Sequence, residues 1–268
     1  MRQKLCESRE QARKLVMAQE VEVEGRPGPL KPSTRLDMQA KITLRKKPPY
    51  VSRGGEKLKA ALAGFGISPL GLVYADIGAS TGGFTDCLLK EGAKRIYAID
   101  VGRGQLHESL RVDPRVVVME RKNARYLSKD DVGEKMDGIT IDVSFISLRL
   151  LWSAVVSLLK KDGHCITLVK PQFEAGPRWV RKGGVVNQPE VHKQVLAQVV
   201  ESASTHSLVL RDLTYSPLLG PAGNIEFLAF WEHAEASFEK NAREAIIQKV
   251  VENAHVFFLS RNTREKHN

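Results

Sequence analysis

The stretch ADIGASTGGFTDCLL, residues 75–89, decides how this chain is read. An apolar run ends at Asp76, the glycines Gly78, Gly82 and Gly83 crowd a turn, and an amphipathic run follows from Phe84. Such a turn brings backbone close to a ligand or to another segment. Two phosphate-binding patterns fail here on spacing. A dinucleotide fingerprint would need glycine where Ser80 stands, and a P-loop would need lysine where Phe84 follows Gly83. What remains is D-x-G-x-x-x-G-G, with Asp100 closing the next apolar run, RIYAID.

Around this turn, apolar runs alternate with helical segments: LVYADIG, RIYAID, VVVME, GITIDV and HCITLVK. That alternation predicts five parallel strands. The last two runs, LVLRDLTYSP and NIEFLAFWE, are joined by LLGPAG. A link that short allows only an antiparallel pair, because a parallel crossover needs a dozen or more residues. The expected fold class is α/β, a doubly wound, Rossmann-like sheet of seven strands with one antiparallel. Residues 236–258, with Phe238, Ile246, Val250 and Phe257, read as a closing amphipathic helix.

Upstream the pattern differs. SREQARKLVMAQ reads as a helix capped by Ser8, and VEVEG and AKITLR as paired strands. A small α+β domain over 1–46 is therefore expected. A linker at 47–54 (RKKPPY, 45–50, runs into it), the sheet domain over 55–235 and a helical tail over 236–268 complete the organisation.

The turn and the sheet together identify a ligand. Backbone N–H groups at a helix N-terminus meet a carboxylate, and an acid ending the second strand meets two ribose hydroxyls. A ligand with an amino-acid head, a ribose and no phosphate is S-adenosylmethionine, whose methyltransferases use this seven-strand order. The residues expected to hold it are Asp76, Gly78, Ser80, Thr81, Gly82, Gly83, Phe84, Asp100, Val101, Asn123 and Asp142. Asn123 has two readings, an adenine contact or a polar cap.

The chain of 268 residues carries a net charge of +10, unevenly. Residues 1–57 hold 14 Lys and Arg against 7 Asp and Glu, which is +7 of that charge. A basic segment of this kind favours a polyanion. Three dispersed cysteines, Cys6, Cys87 and Cys165, argue against disulfides or zinc and for a reducing cytoplasm. No metal site is expected. No apolar leader is seen, and LRLLWSAVVSLL is too short to cross a bilayer, so neither secretion nor a membrane is expected.

Ligands of such sheets lie beyond the carboxyl ends of the parallel strands. Asp142 and Lys170 end strands there, Glu226 begins the antiparallel strand at the same edge, and Lys57 lies on the preceding helix. Two lysines and two carboxylates should converge. An ion-pair network without chemistry would look the same in sequence, but buried pairs are weak stabilisers. The loop FEAGPRWVRKGG, 173–184, puts Arg178, Arg181 and Lys182 around Trp179. It reads equally as an RNA contact or as a lid with Trp179 packed inward.

The stretches YVSRGGEKL, DIGASTGGFTD, AIDVGRGQL, KNAR, IDVSFISL, LVKPQFE and GPAGNIEFL resemble the TlyA family, whose catalytic domain is similar to FtsJ. Members are often labelled haemolysins and act as ribosomal RNA 2′-O-methyltransferases. The resemblance implies that Lys57, Asp142, Lys170 and Glu226 form a Lys-Asp-Lys-Glu catalytic tetrad. It also implies a ribosomal RNA cytidine ribose as acceptor, within a ribosomal subunit or its RNA. SREQARKLVMAQEVEVEG looks like an S4 RNA-binding domain. It departs from that pattern in having little helix before Ser8, Gln19 at the helix-ending glycine and Glu24 in place of the turn asparagine. RNA contacts are expected from Arg9, Arg13, Lys14, Lys46, Lys47 and Arg53, and from Arg178, Trp179, Arg181 and Lys182.

Overall fold

The computed structural model describes residues 5–265 apart from 7, 18–20, 27–29, 38, 45–47, 182 and 235–239. The chain divides into two compact units, Met1–Pro49 and Tyr50–Asn268. In the first, α1 (Arg9–Met17) precedes an antiparallel pair, β1 (Val21–Val23) and β2 (Ile42–Leu44), in the register Val21 to Leu44. Gly25 turns the chain after β1 with φ at 74°. Gln19, Lys46 and Lys47 lie outside the described residues.

The second unit begins at Tyr50, inside the stretch expected to be a linker. Tyr50 and Val51 pack on its core, and α2 (Gly54–Phe65) starts within the stretch too. Strands β3 (Val73–Ile77), β4 (Arg95–Ile99), β5 (Val116–Met119), β6 (Met136–Ile141) and β7 (Leu159–Val169) are parallel. β8 (Leu208–Tyr215) pairs with β9 (Phe227–His233), and β9 runs antiparallel to β7. The order across the sheet is β5-β4-β3-β6-β7-β9-β8, with β9 the one reversed strand. The expected sheet is the observed one. The helices are α3 (Gly83–Lys90), α4 (Glu108–Arg111), α5 (Lys129–Val132), α6 (Trp152–Leu158), α7 (Pro171–Glu174), α8 (Pro189–Ser204) and α9 (Lys240–Glu265).

Each face of the sheet has its own core. β3 sends Val73, Ala75 and Ile77 into one and Tyr74 into the other. α9 reaches seven residues past the end expected for it, and its buried line is Ile247, Val251, Ala254 and Phe258. Ile246, Val250 and Phe257 only flank that line, and Phe238 lies outside the described residues. Among the described residues no helix is long and apolar enough to cross a membrane.

Asp76 pins the glycine turn to the sheet from beneath. It is fully buried; its Oδ2 accepts from Thr85 Oγ1 on α3 at 2.6 Å and its Oδ1 from Thr140 Oγ1 on β6 at 3.0 Å. Burial pushes its carboxyl up to about 7, because a charge there is desolvated. A folded-state value above the ordinary 3.8 means that the native chain holds a proton the unfolded chain has released. That contribution is complete at low pH and is lost as pH rises toward 7. Asp76→Asn removes the titration while keeping the shape. Urea unfolding should show the variant gaining stability relative to the native chain between pH 4 and pH 7.5; parallel pH profiles would contradict the assignment.

Candidate active site

Two adjoining cavities open at the carboxyl edge of the sheet, one of about 440 Å³ and one of about 280 Å³. They share Gly78, Ser80, Asp142 and Ser144. The smaller is walled by apolar Ile99, Val143 and Leu151 with Asp100, Val101 and Asn123 at its polar side. That mix of an apolar slot with few polar groups suits a purine nucleoside. The larger receives Lys57, Lys170 and Glu226 together with Thr81, Gly83 and Phe84.

The turn after β3 shapes the boundary between them. Gly78 has φ at 83°, and a Cβ there would stand 2.6 Å from the carbonyl oxygen of Asp142. Only glycine lets these two segments pass so closely. The amides of Gly78 and Ala79 donate to Ile99 O at 2.8 and 3.1 Å. Asp100 then accepts from Ser80 N at 2.8 Å and from Gly102 N at 2.7 Å. Its carboxylate is thus fixed at the edge of the smaller cavity. Asn123 caps the following 3-10 turn, accepting from Arg125 N at 3.1 Å, and also lines that cavity.

Two expected cofactor residues face elsewhere. Asp76 lines neither cavity, because both its oxygens are spent beneath the turn. Gly82 also lines neither; a side chain there would run into Leu106 and Leu110, on the core side of the turn. Its φ of 97° is the second reason for glycine. Sequence spacing cannot tell which glycine faces the ligand and which faces the core.

The four charged side chains do converge, as two ion pairs on the wall of the larger cavity. Lys57 Nζ lies 2.5 Å from Glu226 Oε2, with the two residues only 6% and 1% exposed. Lys170 Nζ lies 2.5 Å from Asp142 Oδ1 and donates to Ser144 Oγ at 3.1 Å. Burial of such charges is costly unless they are paired. Glu226 is seated by its neighbours: its carbonyl accepts from Ser216 N at 2.8 Å, and Gly220 leaves the space its Oε1 occupies. Asn224, buried, accepts from Val186 N and donates to Gly184 O, both at 2.8 Å, tying the Glu226 loop to the end of the 173–184 loop. Among the described residues Glu226 Oε1 has no hydrogen-bond partner, which leaves an acceptor at this wall.

The expected RNA residues are placed less uniformly. Arg53 lines the larger cavity and donates to Leu219 O at 2.6 Å. Trp179 packs against the core with Arg178 5.0 Å from its ring centroid, which is the inward-packed arrangement of the two considered. Arg181 is exposed; Lys182 lies outside the described residues. Arg9 and Arg13 are exposed on α1, and Lys14 lies on the same helix. Sequence reading passed over Ser144 and Phe145. Phe145 is 91% exposed with φ at 64°, beside the smaller cavity. The signal was present in IDVSFISL, where an aromatic sits between two serines just beyond a strand end.

Gly82→Ala should therefore cost about 1–3 kcal/mol of folding stability, the usual cost of overpacking. Chemical denaturation measures it; a variant as stable as the parent would show that the two leucines simply yield.

The FtsJ-like methyltransferase model matches residues 50–232. YqxC of Bacillus subtilis (strain 168), named as an rRNA methyltransferase, is 45% identical over 94% of this chain and 90% of its own. The 16S/23S rRNA (cytidine-2′-O)-methyltransferase TlyA of Mycobacterium tuberculosis (strain CDC 1551 / Oshkosh) is 42% identical over 85% of each chain. A solved structure named a hemolysin, from Streptococcus thermophilus, superposes with a TM-score of 0.78 at 41% identity, covering 98% of this chain and 95% of that one. With the match spanning the sheet, the glycine turn and both ion pairs, the chain belongs to the FtsJ-like methyltransferase family, alongside TlyA.

Proposed function

We propose that this protein is an S-adenosylmethionine-dependent methyltransferase acting on the 2′-hydroxyl of a ribosomal RNA ribose, that of a cytidine, in the cytoplasm. The observation that carries the reading is the sharing of Gly78, Ser80, Asp142 and Ser144 by a nucleoside-shaped cavity and a cavity walled by two ion pairs. A methyl donor in the first would present its reactive carbon to an acceptor in the second. The names of the relatives supply the substrate, and the exposed basic residues supply affinity for a polyanion.

Bound there, S-adenosylmethionine provides an electrophilic methyl on a sulfonium, which leaves as the neutral thioether S-adenosylhomocysteine. The protein must do the rest. A ribose hydroxyl is a weak nucleophile until its proton is taken. Lys170 takes it: the residue follows the end of a central strand, lines the acceptor cavity, and is held by Asp142 and Ser144, which line both cavities. A neutral amine is needed for this, and a nearby cation favours that form. Lys57 lies on the wall of the same cavity, held there by its pairing with Glu226. Asp100 receives the donor's ribose hydroxyls, with Val101 and Asn123 beside the adenine. Phe145 offers an exposed ring for a base to stack upon. The first unit, S4-like, adds a basic helix for the same RNA.

Asp100→Ala should weaken S-adenosylmethionine binding by about 1–3 kcal/mol, because a charged acceptor is lost from buried hydroxyls. Calorimetry showing unchanged affinity would reject the ribose role. Transfer of a tritiated methyl group to ribosomal RNA tests the reaction itself. Lys170→Ala should slow it by about 10²–10⁴ with binding nearly intact. Lys170→Arg should be almost as slow, since guanidinium keeps its proton near neutral pH. Near-normal single-turnover rates in the arginine variant would remove Lys170 as the base.

A further inference from the structure

Lys170 sits immediately before α7, with Pro171 at the first position of the helix. Its Nζ faces Asp142 Oδ1 at 2.5 Å and donates to Ser144 Oγ at 3.1 Å. Ser144 is exposed and lines both cavities. The loop that carries it is clamped from behind. Glu174, four residues after Lys170 and buried, accepts from Ser147 Oγ at 2.6 Å and from Leu148 N at 2.7 Å. Between the two, Phe145 holds a left-handed φ of 64°, a conformation that costs energy for a bulky residue. The segment presenting Lys170 therefore also fixes the segment presenting Ser144.

We infer that Ser144 is a positioning residue that aims the proton-accepting side of Lys170 at the acceptor cavity. The inference rests on Lys170 being the base. A lysine ammonium has three N–H groups. One donates to Ser144, while Asp142 lies against the amine as an ion pair whose Oδ1 accepts no N–H in this geometry. When the amine is neutral, Ser144 keeps its N–H group and the carboxylate of Asp142 repels the lone pair, which turns to the cavity side. There it takes the proton of the 2′-hydroxyl while the 2′-oxygen bonds to the methyl carbon. The carbon–sulfur bond breaks with its electron pair on sulfur, and Lys170 afterwards releases the proton to water. Without the hydroxyl of Ser144 the amine rotates about Cε–Nζ, and its lone pair points into the cavity only part of the time.

The charged groups facing Lys170 are Asp142 from the end of β6, Lys57 from α2, Glu226 from the start of β9, and Arg53 before α2. Arg149 and Glu174 stand behind the Ser144 loop, 3.6 Å apart. A change at Ser144 leaves all of these in place. An acceptor on an ammonium favours its charged form, so removing that acceptor shifts the rate–pH curve toward lower pH.

Single-turnover methyl transfer to ribosomal RNA, at saturating RNA and S-adenosylmethionine and across pH, tests this. Ser144→Ala should lower the plateau rate about tenfold, the order expected for a hydrogen bond to a charged group. Its half-maximal pH should move down, with both binding constants within about twofold of the parent on that same scale. Ser144→Thr should restore the rate and the pH profile. A Ser144→Ala rate and pH profile like the parent's would overturn the inference, as would a Thr variant as slow as Ala. A loss of cofactor affinity matching the loss of rate would overturn it too, making Ser144 a ligand contact. If Lys170→Ala keeps the full rate, it is the reading of Lys170 as base that fails, whatever Ser144 does.

Discussion

Where the chain leaves β3 at Gly78, it passes the end of β6 so closely that a single methyl group would meet the carbonyl of Asp142 at 2.6 Å. Much of the site depends on that approach. It brings the glycine turn, which borders both cavities, against the residue that pairs with Lys170. Asp76 and its two threonines set the height of the turn from below, and Asp100 sets its lateral position. The two cavities thereby share one wall, and on the proposed reading a donor in one and an acceptor in the other are held close, the kind of preorganisation from which rate acceleration by positioning comes.

The charges on the acceptor wall fit chemistry better than stability. Two lysines and two carboxylates in a confined cavity lose more hydration than their pairing restores in most proteins, and apolar replacements are commonly neutral or stabilising. Here each pair has one member from a strand end and is braced by further groups: Gly220 and Asn224 around Glu226, Ser144 and the Glu174 clamp around Lys170. Such bracing limits the motion of two amines whose positions relative to a ribose hydroxyl would set the rate. Lys57 with Glu226 is the more buried pair, while Asp142, the partner of Lys170, borders both cavities.

Much of this was legible in the sequence, for identifiable reasons. Parallel strands are buried on both faces, so they stand out as apolar runs, and the short LLGPAG link admits only one strand direction. Strand order alone puts Asp142, Lys170 and Glu226 at one edge, and the helix before the first strand of the sheet brings Lys57 beside them. Which lysine pairs with which carboxylate could not be read there, because that depends on side-chain reach across elements far apart in sequence. The same limit explains Asp76 and Gly82. Both lie in the motif expected to bind the ligand, yet their directions are set by Thr85 and Thr140 in one case and by Leu106 and Leu110 in the other. In α9 the buried line begins one position later than the apolar pattern implied, since Ile246 and Ile247 are both apolar and only packing chooses between them.

Whether this chain methylates a cytidine ribose of ribosomal RNA is decided by mapping 2′-O-methylation across ribosomal RNA from cells with the protein, without it, and with the Lys170→Arg form in its place. A cytidine 2′-O-methyl group should be present in the first and missing from the other two. An identical methylation map in all three would rule this activity out.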